Sequence, residues 1–279
     1  MRKILETFSR LSTRNEGALI AYVTAGDPDP SFTPRIVETL IEGRADVIEL
    51  GIPFSDPIAD GPVIQAATVR ALKSGTTPKK VLKIVEEIRG RSDVPIVILT
   101  YYNPIFRLGL KVFFESAEAS GVNGVIVPDL PIEEADEYKR IAEAYDIDTI
   151  FLVAPSSSTE RLRKILGYAS GFLYLVSTFG VTGARDKLQD LTIRLIKKTR
   201  QVTYRRIPLA VGFGISKPEH VKAIIRNGAD AAIVGSGFVR IIERKNERME
   251  EMLEALREYA HLLKEATIKK PCTDYFEIE

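Results

Sequence analysis

The chain has 279 residues, 45% of them apolar, which is enough for a packed core and a little above the usual size of a one-domain α/β barrel. Its 39 Lys and Arg balance 38 Asp and Glu, which excludes a broad electrostatic footprint for nucleic acid or an anionic membrane. The single cysteine, Cys272, excludes an internal disulfide, and two histidines, His220 and His261, argue against a His-rich metal site.

The first predicted element is an amphipathic helix over residues 2–11. Apolar side chains recur there at helical spacing: Ile4, Leu5, Phe8 and Leu11. Charged residues interrupt the apolar ones, so the segment is typical of neither a signal peptide nor a membrane span. We therefore expect a cytoplasmic protein.

Eight short apolar runs, each typical of a strand buried on both faces, follow along the chain. They span 18–24, 45–51, 94–101, 122–127, 147–153, 171–176, 207–212 and 229–235. Amphipathic segments such as 79–89 and 188–200 separate them, which predicts parallel strands joined by helices. Eight such units favour a closed (β/α)8 TIM barrel, with an open doubly wound sheet as the alternative.

The ends of the chain lie outside the repeated unit. The N-terminal helix is expected to cover the barrel floor, and past residue 240 a charged helix is predicted to run to about Glu265. We expect one barrel domain over about 16–266 and a flexible tail over 267–279, which contains Pro271 and has no periodicity.

Glu49 is the first candidate catalytic residue. It lies in a predicted strand that otherwise packs apolar side chains, where a carboxylate is costly. That strand contains no Lys or Arg to pair with it, which favours a functional role over a buried ion pair. Apolar neighbours should raise the pKa of Glu49 toward neutrality and let it exchange protons near pH 7.

Asp60 is the second candidate. It lies in the loop after that strand, between Pro57 and Pro62, and Gly61 permits a turn toward the barrel mouth. The alternative role for Asp60 is to cap the helix that begins near Val63. The sequence leaves these two roles open.

Glycine-rich loops predict a phosphate site. Three such loops each follow a predicted strand: Ser177-Thr-Phe-Gly-Val-Thr-Gly183, Gly212-Phe-Gly-Ile-Ser216 and Gly235-Ser-Gly-Phe238. A helix is expected to start after Ser236. Glycines let backbone N–H groups approach an anion, and a helix start adds its positive dipole end. Barrels commonly hold phosphate in the loops after strands seven and eight.

These stretches together resemble the tryptophan synthase alpha subunit family from about residue 16 to about residue 240. The most specific match is Glu49-Leu-Gly-Ile-Pro-Phe-Ser-Asp-Pro-Ile-Ala-Asp-Gly-Pro62, with both acidic positions intact. Four further motifs support it in the same order: Val23-Thr-Ala-Gly-Asp-Pro28, Pro128-Asp-Leu-Pro-Ile-Glu-Glu134, Gly180-Val-Thr-Gly183 and Gly212-Phe-Gly-Ile-Ser216.

The resemblance implies a lyase that cleaves indole-3-glycerol phosphate to indole and glyceraldehyde 3-phosphate, without metal or organic cofactor in this chain. It implies that Glu49 shuttles protons and that Asp60 accepts a hydrogen bond from the indole N–H. Tyr174 matches a position near the indole, and Thr182 one that bonds the Asp60 carboxylate when the site closes. Further pocket and phosphate residues carry over from the same match: Tyr22, Leu99, Tyr101 and Leu152 in the pocket wall, and Gly183, Phe213, Gly214, Gly235 and Ser236 at the phosphate.

The resemblance also implies a partner, a pyridoxal-phosphate beta subunit in an alpha2beta2 heterotetramer. Its interface is expected at the barrel rim, at six residues: Pro53, Asp56, Pro57, Asn103, Pro104 and Pro131. The alternative is that the prolines among them simply shape ordinary loops. Two alternatives to a lyase subunit are a free-standing lyase that releases indole and a catalytically silent activating barrel. Intact Glu49 and Asp60 argue against the silent barrel.

Overall fold

The computed structural model describes residues 2–177, 185–246 and 248–269, with side chains described from 190 onward in the second range. Nine parallel strand segments in these ranges form one sheet. They are β1 (Ala18–Thr24), β2 (Val47–Gly51), β3 (Ile96–Leu99), β4 (Gly124–Ile126), β5 (Asp148–Ile150), β6 (Leu152–Val153), β7 (Leu173–Val176), β8 (Leu209–Gly212) and β9 (Ala231–Val234).

The sheet is a nearly closed barrel. Its strand order is β5-β4-β3-β2-β1-β9-β8-β7-β6, and β5 and β6 are two parts of one predicted strand interrupted at Phe151. Main-chain hydrogen bonds bridge this point, from Ser170 N to Thr149 O at 2.8 Å and from Tyr174 N to Phe151 O at 3.0 Å. The predicted TIM barrel is confirmed, and each predicted strand contains an observed one.

Helices surround the barrel in the described ranges. They are α1 (Lys3–Thr13), α2 (Thr33–Glu42), α3 (Pro62–Lys73), α4 (Pro78–Arg89), α5 (Tyr102–Leu108), α6 (Leu110–Ala119), α7 (Asp136–Ala144), α8 (Thr159–Tyr168), α9 (Arg185–Thr203), α10 (Pro218–Arg226), α11 (Ser236–Lys245) and α12 (Met249–Glu265). Short 3-10 helices cover Pro30–Phe32 and Ile132–Glu134. Among these described helices, none is long and apolar enough to cross a membrane.

Alternate residues of each strand face two separate cores. In β2, Val47 joins the cluster inside the barrel, whereas Ile48 and Leu50 join the cluster between the strands and the helices. Successive side chains of a strand point to opposite faces, so Glu49 shares the inner face with Val47. The same alternation places Tyr22 on the inner face of β1, after Ala18 and Ile20.

Helix α1 covers the floor of the barrel, as predicted. Its Ile4, Phe8 and Leu11 pack into the inner core, and Phe8 contacts Phe172 with ring centroids 6.1 Å apart. Since α1 covers the N-terminal ends of the strands, the opposite, C-terminal end is the mouth in which a barrel carries its chemistry.

The prediction of one charged helix from residue 240 to about Glu265 is wrong. Two helices, α11 and α12, occupy this region, because Arg248 has a non-helical backbone with φ −128° and ψ 77°. Residues 267–269, the first part of the predicted tail, hydrogen-bond to the start of the barrel: Gly17 N donates to Thr267 O at 2.9 Å. Residues 270–279 lie outside the described residues.

Candidate active site

Glu49 lies at the inner face of the mouth and is almost completely buried, with 1% of its surface exposed. It is the register partner of Tyr22 on β1. Burial, which disfavours the charged form, raises the pKa of Glu49 to about 8, and the nearby charge of Asp60 adds to the shift. The predicted neutral-range carboxyl is therefore present, and at pH 7 it is mainly protonated.

The Oε2 atom of Glu49 is buried, and no hydrogen-bond partner contacts it among the described residues. A buried polar atom without a partner is costly and is rarely kept in a core for packing alone. The orientation suits a group that exchanges a proton with a bound molecule.

Asp60 is held at the mouth by a tyrosine. Tyr101, which follows β3, donates a hydrogen bond from its hydroxyl to Asp60 Oδ2 at 3.0 Å. Burial raises the pKa of Asp60, and the bond from Tyr101 opposes that rise. The alternative role as a helix cap is wrong, because the N-cap of α3 is Gly61 and, among the described residues, that end has no side-chain capping hydrogen bond.

The two carboxyl groups belong to one electrostatic unit. The charge of Asp60 raises the pKa of Glu49, and both acids raise the pKa of Tyr22 and Tyr174 after the larger effect of burial. Like charges that interact in this way disfavour each other's ionisation. The predicted convergence of Glu49 and Asp60 is what the structure shows.

The predicted pocket-wall residues line the same inner face. Tyr174 belongs to the inner core, and Leu99 and Leu152 pack against it. Tyr22 and Tyr174 each extend over a glycine at a strand end. A Cβ atom on Gly51 would lie 2.4 Å from Tyr22 Oη, and one on Gly212 would lie 2.2 Å from Tyr174 Oη.

The two glycine loops meet this pocket. Phe213 and Gly214 follow β8 with φ of +65° and +69°, and the Phe213 ring packs edge-on against Tyr174 with centroids 5.7 Å apart. The Ser177 hydroxyl donates to the Phe213 carbonyl. Gly235 is the N-cap of the ten-residue helix α11 and approaches Tyr22 so closely that a Cβ atom would lie 2.9 Å from its ring.

Ser236 is the first residue of α11, so its backbone N–H is among those left unpaired at a helix start. The glycine loops and the acidic pair therefore share one mouth, with Tyr22 and Tyr174 between them. Thr182 and Gly183, predicted for the closing contact and the phosphate, lie outside the described residues.

The predicted interface residues lie in three regions at the rim: the loop before Asp60, helix α5 and the segment before the second 3-10 helix. Pro53 is buried, Asp56 is exposed and Pro57 is half-buried in the loop before Asp60. On α5, Asn103 is exposed and Pro104 half-buried, and Pro131 is exposed before the second 3-10 helix. The rings of Phe54 and Tyr101 lie 5.4 Å apart and hold the first two regions together.

The family resemblance predicts Tyr101 in the pocket wall, but its bond to Asp60 was not predicted from the sequence. The loop and Tyr101 are 41 residues apart, and no local pattern reports such a contact. Within the described ranges, no three His, Cys, Asp or Glu side chains gather where they could hold a metal ion.

A parallel barrel with a buried acid, a second carboxyl and glycine loops at its C-terminal mouth defines a TIM-barrel enzyme. Comparison with known proteins refines that class. The family model described as tryptophan synthase alpha chain matches residues 8–268. The chain belongs to the tryptophan synthase alpha chain family, which confirms the resemblance seen in the motifs.

Individual relatives agree over most of the chain. The tryptophan synthase alpha chain of Methanosarcina acetivorans is 50% identical over 91% of each chain, and that of Methanoregula boonei is 46% identical over 95% of this chain and 98% of its own. Among solved structures, tryptophan synthase subunit alpha from Legionella pneumophila superposes with a TM-score of 0.88 at 34% identity, covering 96% of this chain and 98% of that one. A chain of the Pyrococcus furiosus tryptophan synthase complex gives 0.82 at 42% identity, covering 89% and 98%.

Proposed function

We propose that this protein cleaves indole-3-glycerol phosphate into indole and glyceraldehyde 3-phosphate, the alpha reaction of L-tryptophan biosynthesis. The observation that carries the proposal is Glu49, a buried acid whose Oε2 has no hydrogen-bond partner among the described residues. It lies beside Asp60 at the mouth that also contains the glycine loops. A retro-aldol cleavage of this kind needs proton transfer and charge stabilisation, which two carboxyl groups supply.

Glu49 begins the reaction as an acid. Its pKa of about 8 keeps it mainly protonated at neutral pH, so it donates its proton to C3 of the indole ring. The resulting carboxylate then accepts the proton of the adjacent side-chain hydroxyl. The O–H electrons form the aldehyde, the carbon–carbon bond breaks, and its electron pair restores the neutral indole. Glu49 ends the cycle protonated.

Asp60 stabilises the positive charge that the ring carries after protonation. It accepts a hydrogen bond from the indole N–H. The Tyr101 hydroxyl, which donates to Asp60 Oδ2, keeps the carboxylate in position. The indole lies against Tyr22, Leu99, Tyr101, Leu152 and Tyr174. The family resemblance adds Thr182 as a closing contact, and this residue lies outside the described residues.

The phosphate binds between the two glycine loops. Backbone N–H groups of Phe213, Gly214, Gly235 and Ser236 surround it, and the N-terminus of α11 adds its dipole. The family resemblance adds Gly183, which lies outside the described residues. These steps require no metal or organic cofactor in this chain.

We further propose an alpha2beta2 heterotetramer with a pyridoxal-phosphate beta subunit that receives the indole. A solved relative from Pyrococcus furiosus, 45% identical with a TM-score of 0.83, comes from a tryptophan synthase a2b2 complex. Large apolar side chains are exposed beside the proposed interface residues Pro53, Asp56, Pro57, Asn103, Pro104 and Pro131. Ile58 is 81% exposed and Phe106 is 66% exposed.

The proposal is tested by supplying purified full-length protein with indole-3-glycerol phosphate and measuring both products. We expect equimolar indole and glyceraldehyde 3-phosphate, at a rate that rises when a beta subunit is added. Full turnover alone with no response to a beta subunit would indicate a free-standing lyase. No product under either condition would overturn the proposed reaction.

A further inference from the structure

Tyr259 lies on the last described helix, α12, and reaches the loop after β8. Its hydroxyl donates a hydrogen bond to the Ser216 carbonyl at 2.7 Å. Its ring packs edge-on against Phe238 of α11, with centroids 5.0 Å apart. Tyr259 therefore contacts the last residue of each glycine loop, Ser216 in one and Phe238 in the other.

Gly237, the second residue of α11, packs directly against the same tyrosine. Its backbone is helical, so no unusual φ requires glycine there. A Cβ atom on Gly237 would lie 2.1 Å from Tyr259 Oη and 2.8 Å from Cε1 and Cζ of the ring. Space for Tyr259 is the reason that the structure gives for glycine at this position.

The two contacts lie at the ends of the proposed phosphate cradle, which we define as Phe213, Gly214, Gly235 and Ser236. Ser216 is two residues beyond Gly214, and Gly237 is one residue beyond Ser236. These loops belong to different β/α units, so their spacing depends on what packs behind them. Tyr259 bonds to one loop and occupies the space beside the other.

We propose that Tyr259 is a positioning residue that sets the distance between the two halves of the phosphate cradle. It acts through Ser216 and Gly237 and touches no substrate itself. The inference rests on the proposed function, because it assumes that this cradle binds the substrate phosphate. Burial raises the pKa of Tyr259 to about 12, so the hydroxyl remains a donor at neutral pH.

The first test is Tyr259→Phe in the full-length protein. Loss of one hydrogen bond that orders the cradle should raise the KM for indole-3-glycerol phosphate and the Kd for sn-glycerol 3-phosphate by about fivefold. The kcat and the Kd for indole should stay near wild type. A purely structural tyrosine would instead lower Tm and the active fraction without moving KM.

A second test uses the contact with Gly237. Gly237→Ala alone should weaken sn-glycerol 3-phosphate binding by about tenfold or more, because its methyl group meets the Tyr259 hydroxyl. The double variant Gly237→Ala with Tyr259→Phe should bind more tightly than Gly237→Ala alone, because the freed ring can tilt away. Effects of the two changes that simply multiply would overturn the proposal.

Tyr138→Phe is the matched control, since the Tyr138 hydroxyl also donates to a backbone carbonyl, that of Val125, at 3.3 Å. It should leave the Kd for sn-glycerol 3-phosphate unchanged. Ser236→Ala keeps the backbone N–H but removes a hydroxyl from the cradle, so it should raise that Kd. If wild type binds no sn-glycerol 3-phosphate, the proposed phosphate site fails; if it binds and Tyr259→Phe binds equally well, only the role of Tyr259 fails.

Discussion

The hydroxyl of Tyr101 bonds to both the backbone and the side chain of the loop that carries Asp60. It donates to Asp60 Oδ2 at 3.0 Å and accepts from the Ala59 N–H at 3.0 Å. One side chain from the end of β3 thus holds the carboxylate and its loop in a single orientation. The position of this loop carboxylate is thereby fixed by a residue that follows directly from a barrel strand.

Tyr101→Phe should lower kcat about tenfold and shift the acidic limb of the kcat profile to higher pH. In the wild type this hydrogen bond lowers the pKa of Asp60 and so opposes the rise that burial causes. Without the bond, the pKa of that carboxyl rises further. A pH–rate profile from steady-state assays checks this, with Tyr102→Phe as the neighbouring control. An unchanged profile would show that Tyr101 is only part of the pocket wall.

Asp60→Asn should lower kcat by about 100-fold or more while changing the unfolding free energy by less than about 1 kcal/mol. The reason is that Asp60 caps no helix, so only charge stabilisation is lost. Thr77→Ala is the matched comparison, because Thr77 does cap α4 through Lys80 N. It should lose about 1 kcal/mol of stability with unchanged turnover. The same pattern in Asp60→Asn would contradict our assignment.

The stability of the protein should depend on pH through Glu49. Its pKa rises from 4.5 to about 8 on folding, so the folded state binds a proton that the unfolded state has lost between these values. The contribution of Glu49 is therefore full below pH 4.5 and lost as pH rises through 8. Glu49→Gln cannot ionise, and its stability advantage over wild type should grow across this window to as much as about 5 kcal/mol. Urea unfolding at several pH values measures it, and a constant difference would contradict a buried, ionising Glu49.

A buried ion pair should contribute to the stability of the mouth. Asp27, 1% exposed after β1, accepts two hydrogen bonds from Arg70 of α3 at 2.7 and 2.8 Å. Arg70→Gln leaves this carboxylate without its cation and should cost about 3 kcal/mol. The double variant Asp27→Asn with Arg70→Gln removes both charges and should recover part of that loss.

The control for Arg70 is an exposed ion pair. Arg35→Gln removes the pair with Glu250, whose side chains are 51% and 82% exposed, and should change stability by about 0.5 kcal/mol or less. Urea unfolding with a common slope compares the variants. Equal losses of unfolding free energy at both sites would show that burial does not make the Asp27–Arg70 pair more stabilising than an exposed pair.

Strand periodicity predicted most of the fold. A strand that is buried on both faces produces a continuous apolar run, and each of the eight predicted runs contains an observed strand. Glu49 was predictable for the same reason, as a charge in such a run without a basic neighbour. The break between α11 and α12 was not, because residues 243–248 are all polar, which a charged helix also allows, and the non-helical backbone of Arg248 leaves no mark in the sequence.

Contacts between distant segments were beyond the reach of the sequence. The Asp60 loop matched a capping pattern as well as a catalytic one. The structure decides between them by placing Gly61 at the N-cap of α3 and Asp60 against Tyr101. Tyr259 carries no motif, and the reason for Gly237 becomes visible only when α12 packs against α11. Local patterns report burial and turns, whereas these roles depend on which elements meet.

Glu49→Gln provides the most direct measurement of the central claim that Glu49 moves the protons of the cleavage. The substitution keeps the shape of the side chain and removes its acid–base function, so binding of sn-glycerol 3-phosphate should be retained. Indole release from indole-3-glycerol phosphate should fall below detection. Turnover within about tenfold of wild type, well short of the loss expected for an essential general acid–base, would contradict the account.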